Sequence, residues 1–172
     1  MTTTSARLRP GRRDDAPAIQ RLYREVGATP GGIARTPPEV TSDYVNGFVE
    51  DSLARGIILV AELPGLAGLA GELHAYRSDL EVFRHVMGDL TVAVHPRAQG
   101  QGIGRQLFHR LLAEVKQHHP DVTRVELITQ EGNERALRLY ESLGFRREGR
   151  LEGRIRASNG GYEADIPMAW YR

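Results

Sequence analysis

The apolar positions of this chain fall into short runs with two periods. Leu90–Thr91–Val92–Ala93–Val94 reads as a strand, β-branched at alternate positions, and Pro96 ends it because it has no N–H to give to a ladder. Directly after it, Ile103, Leu107, Leu111 and Val115 recur every four residues, which predicts a helix closing near His119–Pro120. Upstream, residues 6–9 make a short strand stopped by Pro10–Gly11. Asp14 or Asp15 caps a helix with Pro17 in its first turn and Ile19, Leu22, Tyr23 and Val26 on its apolar face. Residues 28–38 are a Gly/Pro-rich loop, and a weaker helix over about 39–54 carries Tyr44, Phe48 and Val49. Residues 57–63 form a near-continuous apolar strand, 64–68 a turn, and 69–77 the returning strand. Residues 78–88 mix charge with Phe83, Val86 and Met87 and have no clear period.

Downstream, residues 124–129 read as a strand. Asn133 caps a helix with Ala136, Leu139, Tyr140 and Leu143 on one side, and Gly144 suits its stop. Residues 145–156 and 162–170 read as two strands about an Asn159–Gly160 turn, and the alternation Tyr162, Ala164, Ile166, Met168, Trp170 buries one face. The predicted order is β-α-α-β-β-β-α-β-α-β-β, an α/β (α+β) pattern without repeats or internal linkers. It predicts one domain over 1–172, with 1–5 as a flexible tail.

Composition narrows the chemistry. A net charge of +1 gives no electrostatic reason to expect nucleic acid or an anionic membrane as partner. The absence of cysteine excludes disulfides, thiolate nucleophiles, Cys-ligated zinc and an acyl-cysteine intermediate. No apolar run approaches the ~20 residues a membrane helix needs, and the start is polar, so a cytoplasmic protein is expected. His118–His119 suits a helix end, while His74 and His95 stand isolated, and no spacing suggests a metal site.

Between strand and helix lies Gln99–Gly100–Gln101–Gly102–Ile103–Gly104. Glycine lets backbone approach a ligand with no Cβ in the way, and the first turn of a helix offers unpaired N–H groups and a partial positive charge. Such a loop seats a phosphate or pyrophosphate; a plain strand-to-helix turn is the alternative. No GxxxxGK[ST] is present, and G-x-G-x-G is not the dinucleotide spacing.

The Q-x-x-G-x-G run after a V-x-V-x-P strand end resembles the acetyl-CoA loop of the GCN5-related N-acetyltransferases, the GNAT superfamily. The segment Asn133 to Phe145 is similar to that superfamily's N-x-x-A-x-x-L-Y-x-x-x-G-F. The resemblance implies a mixed, mostly antiparallel sheet whose central parallel strand pair splays apart, flanked by helices. It implies an N-acetyltransferase that moves an acetyl group from acetyl-CoA, without a metal, to a primary amine of a small molecule or peptide, directly in a ternary complex. It further implies a homodimer formed through the final strand. The alternative is an inactive fold that binds acyl-CoA as a sensor or assembly module.

Residue by residue, the resemblance assigns the pantetheine arm to the backbone of Val92 and Val94. It assigns the pyrophosphate to Gln99, Gly100, Gln101, Gly102, Ile103, Gly104 and Arg105, with Arg97 and Arg105 adding positive charge. Asn133 and Ala136 belong to the segment that holds the cofactor arm, and Tyr140 is the general acid for the departing thiolate; a core tyrosine is the alternative. The general base is open. The family's acid near the start of the central strand falls on Gly88, and the glutamate that some members carry five residues before the asparagine is Ile128 here. Glu126, Asp89 and His85 are the candidates, with Glu72 on the preceding strand and a water chain beside them. Acceptor contacts are expected from 28–38, 78–87 and 150–162.

Overall fold

The computed structural model describes residues 6–157 and 159–172, so the tail expected at 1–5 and Ser158 of the hairpin turn lie outside it. Its principal elements are β1 (Arg7–Pro10), α1 (Ala16–Gly27), α2 (Ser42–Arg55), β2 (Gly56–Glu62), β3 (Gly71–Tyr76), β4 (Val86–Val94), α3 (Ile103–His118), β5 (Arg124–Gln130), α4 (Glu134–Ser142), β6 (Arg146–Arg147), β7 (Leu151–Arg156) and β8 (Tyr162–Tyr171). They form one sheet in the order β1-β2-β3-β4-β5-β8-β6, with β7 also on β8. Every pairing is antiparallel except β4 with β5.

Two apolar clusters cover the two faces of the sheet. On one, Ile19, Leu22, Tyr23 and Val26 of α1 and Val45, Phe48 and Val49 of α2 pack with Ile58, Val60 and Ala93. On the other, Ile103, Leu107, Phe108, Leu111 and Val115 of α3 and Leu137 and Tyr140 of α4 pack with Leu59, Leu73, Val125, Leu127 and Met168. Because β2 is buried on both faces, its apolar run is continuous rather than alternating.

Several boundaries differ from the sequence reading for local reasons. Asp15 stands at the start of α1, but its carboxylate accepts from Arg9 and from the Arg12 N–H instead of capping the helix. The second helix begins at Ser42, not near 39, because Thr41 Oγ1 accepts the Tyr44 N–H at 3.1 Å while Pro37–Glu39 wind their own 3-10 turn. The central strand starts at Val86, four residues early. The run expected as one strand over 145–156 is split into β6 and β7, and Gly153, at φ 61°, sits in a register shift of β7 against β8. In the turn, the Ala157 N–H donates to the Gly161 carbonyl and the Gly161 N–H to Asn159 Oδ1.

Candidate active site

The central strand carries the feature that opens the sheet. β4 and β5 pair only at Val86↔Arg124 and Met87↔Val125. From Gly88 to Val94, the edge of β4 that faces β5 makes no strand pairing among the described residues. At the point of divergence, Tyr76 pairs with Gly88 but His74 with Thr91, so Asp89 and Leu90 together oppose Ala75 alone. Asp89 is the one non-glycine residue with positive φ among the described residues, at 46°. A bulge with a left-handed residue bends its strand and re-aims side chains. The free edge past it, which includes Val92 and Val94, is the kind of surface to which an extended amide chain can add.

At the far end of β4 the glycine loop has the geometry its letters suggested. Gly100 and Gly102 have φ of 79° and 77°, and Gly102 is the N-cap of α3 with no side chain capping it. The first-turn N–H groups of α3, from Ile103, Gly104 and Arg105, therefore remain available to an anion. A Cβ on Gly100 would meet nothing within 4 Å, and one on Gly102 only Gln106 Nε2 at 4.0 Å. Both positions thus need glycine for backbone conformation, and both leave open space outside. A Cβ on Gly104 would touch Leu139 at 3.7 Å and Val94 at 3.8 Å, an ordinary contact. Gln99 Nε2 donates to the Val94 carbonyl and Gln101 Nε2 to that of Arg97, so both glutamines brace the loop. Arg97 is exposed and forms no ion pair among the described residues, whereas Arg105 donates to Ser142 Oγ at 2.9 Å.

On the α1–α2 side of the opening lies a cleft of ≈ 660 Å³. Its walls come from Arg35, Tyr44 and Phe48 before and within α2, from His74 and Tyr76 of β3, from Asp89, Leu90 and Thr91 at the bulge, and from Arg124, Glu126 and Ile128 of β5. Of the three segments expected to meet an acceptor, only 28–38 reaches it, through Ile33, Ala34 and Arg35. The Arg35 guanidinium lies 3.8 Å over the Tyr44 ring.

A sequence model of the Acetyltransferase (GNAT) family matches residues 34–145, which include most of the cleft lining, the bulge, the glycine loop and α4. The chain belongs to the GNAT acetyltransferase family. It is 30% identical over 138 residues to the L-amino acid N-acyltransferase MnaT of Escherichia coli, covering 80% of this chain and 78% of that one. It is 28% identical over 131 residues to an L-methionine sulfoximine/L-methionine sulfone acetyltransferase of Salmonella typhimurium, covering 76% and 74%. Among solved structures, a putative acetyltransferase from Salmonella typhimurium with its cofactor acetyl-CoA superposes with a TM-score of 0.82 at 23% identity, over 98% of this chain and 94% of that one.

Against that GNAT frame, Asn133 caps α4: its Oδ1 accepts the Ala136 N–H at 3.2 Å, which leaves its amide NH₂ with no partner among the described residues. Tyr140 is buried on the α3–α4 side, its ring 5.1 Å from that of Phe108. Burial pushes its phenol up to about 12, so it remains protonated at neutral pH. The Tyr140 hydroxyl makes no hydrogen bond to any described residue and is not among the sealed, partnerless polar atoms. The base candidates separate in space. Asp89 and Glu126 line the cleft. His85 does not; it precedes β4, and its carbonyl accepts from Thr123 and Arg124. Glu126 accepts from Arg124 Nε at 2.8 Å, and Arg124 also reaches Glu148 and Tyr171. Sequence reasoning reached Arg35 only as part of the 28–38 segment and missed His74 as a cleft residue. Nothing in their spacing marks them, since β3, α2 and the loop before it meet only through sheet register and helix packing.

Proposed function

We propose that the chain transfers an acetyl group from acetyl-CoA to the primary amine of a small acceptor bearing a carboxylate, directly in a ternary complex. The observation that carries this is the cleft at the β4–β5 opening, walled by aromatic rings and entered by the Arg35 guanidinium, which has no carboxylate partner among the described residues. An amino-acid acceptor would place its carboxylate at Arg35 and its amine toward the bulge. Two relatives named for amino-acid substrates support that class. On the opposite side, the α3 N–H groups and Arg97 would receive the pyrophosphate, the β4 edge the pantetheine amides, and the free Asn133 amide the cofactor arm. Tyr140 would give its proton to the departing thiolate. Without cysteine, the acyl group has no thiol of the chain to rest on, which favours direct attack.

Free CoA release with acetyl-CoA tests this against L-methionine, L-methionine sulfone, L-2,4-diaminobutyrate, a polyamine and an alanine-initiated peptide. The amino acids should turn over. Arg35→Gln should raise their KM by roughly 10–100-fold, the worth of a charge-assisted hydrogen bond. Binding of acetyl-CoA with no turnover of any amine would replace this reading with that of a sensor. Exposed Leu151 and Tyr162 on the β7–β8 hairpin support a homodimer contact there, and a monomer mass by light scattering at assay concentration would reject it.

A further inference from the structure

Behind the cleft wall, Tyr23, Glu72 and His74 form a hydrogen-bonded group that neither sequence motif includes. Glu72 is 0% and His74 2% exposed. Tyr23 Oη donates to Glu72 Oε2 at 2.6 Å. His74 Nδ1 lies 3.1 Å from Glu72 Oε1, and 3.3 Å from both Oε2 and the Tyr23 oxygen. Among the described residues no arginine or lysine pairs with Glu72. A carboxylate at this depth keeps its charge only when donors surround it. The phenol is one; burial and the Glu72 charge push Tyr23 well up, so it stays a donor. The imidazole can be the other: against an ionised Glu72 the ring proton sits on Nδ1 and Nε2 is left as a lone pair. Nε2 has no partner among the described residues. The only sealed, partnerless side-chain polar atom among them is Ser52 Oγ, so Nε2 is not sealed off, and His74 lines the cleft. Phe48 stacks on the ring at 4.0 Å and 12°, fixing its plane.

We propose that His74 Nε2 is the general base of the transfer, held in tautomer and orientation by Glu72 and Tyr23. The assignment rests on the acyl-transfer reading above. His74 sits across the β3–β4 pair from Thr91, the first residue past the bulge, one strand away from the free edge of β4 where the thioester is expected. The titratable groups around it are Tyr23 from α1, Glu39 before α2, Tyr44 from α2 with Arg35 over its ring, Glu72 and Tyr76 from β3, Asp89 from β4, and Arg124 and Glu126 from β5. Only Glu72 and Tyr23 reach the imidazole. Nε2 takes one proton from the acceptor ammonium, and the imidazolium so formed is paired with the Glu72 carboxylate. The amine nitrogen then forms its bond to the thioester carbon, and the carbon–sulfur bond breaks as the tetrahedral adduct collapses. The second nitrogen proton reaches the sulfur through Tyr140, and the imidazolium proton leaves through the cleft. One proton is released per amide and free thiol formed. Asp89, exposed at the bulge, and Glu126, tied to Arg124, shape the cleft without taking the proton.

The test has two arms. In kinetics with the best acceptor of the amine panel, His74→Gln should lower kcat at pH 7 by roughly 10²–10⁴-fold, the usual range for general-base help. Acetyl-CoA affinity by calorimetry should be unchanged. The gap to wild type should narrow as pH rises, because more of the acceptor then arrives already deprotonated. Glu72→Gln, which can no longer pair the imidazolium, should lose kcat in the same way. In the second arm, nitrogen-15 NMR of the wild-type imidazoles, assigned through the backbone, should find the His74 proton on Nδ1. That arm needs no variant to fold. A folded His74→Gln with wild-type kcat, or a wild-type His74 protonated on Nε2 when neutral, overturns the assignment. A wild type that turns over no amine overturns the parent reading and the base with it.

Discussion

The Glu126 carboxylate fills the space beside Gly88: a Cβ on Gly88 would sit 3.3 Å from Glu126 Oε1. Position 88 of the central strand thus has no side chain of its own, and an acid reaches the spot from the neighbouring strand. Its charge is already committed to Arg124. With His74 as base, Glu126 is a shaping residue. Glu126→Gln should therefore change the acceptor KM while kcat stays within about threefold of wild type, the pattern of a lost ground-state contact. A kcat loss of hundreds-fold at unchanged KM would make Glu126 the base instead.

Tyr140→Phe removes one hydroxyl with no protein partner, so no buried acceptor is orphaned and thermal stability should barely move. An interaction made only as the thiolate leaves should lower kcat and kcat/KM together. Because coenzyme A thiols leave partly unaided, we expect the low end of general-acid effects, roughly 10–100-fold. Steady-state kinetics beside acetyl-CoA calorimetry checks it. Wild-type kcat would return Tyr140 to the core, and a tenfold loss of affinity with kcat intact would make it a binding residue.

Gly102→Glu tests the loop. A side chain at φ 77° costs of order 1–2 kcal/mol, so the variant should melt somewhat below wild type without ligand. Its Cβ would meet only Gln106 Nε2, at 4.0 Å, which is no clash. The carboxylate would instead face the expected pyrophosphate, and the rise in melting temperature that acetyl-CoA gives the wild type should vanish. A retained shift would remove this loop from the donor site.

Glu148 ties β6 to β5 and β8 through Arg124 and Tyr171. The Arg124 guanidinium, followed by the Tyr171 hydroxyl, holds its carboxyl down to about 2, below its ordinary value of 4.5. A folded value below the unfolded one means stability present above about pH 4.5 and lost as pH falls toward 2. The pair is partly exposed, so its worth is below about 1 kcal/mol. Wild type should melt above Glu148→Gln at pH 6, and the difference should shrink between pH 5 and pH 3. A difference constant over that window would mean the carboxylate charge contributes nothing.

The sequence by itself determined the parts of this protein that local chemistry controls. Glycines at 100 and 102, an asparagine cap at 133, a proline stop at 96 and a four-residue apolar period suffice to place the glycine loop, α3 and α4. The same glycine spacing and the Asn133–Tyr140 segment point to the family. What only tertiary structure decided is the cleft on the other face. Tyr23 lies 49 positions from Glu72 and 51 from His74, and they meet only because α1 packs on the sheet to which β3 belongs. The two-residue pairing of β4 with β5 and the Asp89 bulge follow from strand register, which no short window encodes. A histidine alone in the sequence therefore gives no sign of its role; its meaning depends on a buried carboxylate that needs a donor and on a strand edge left open across from it.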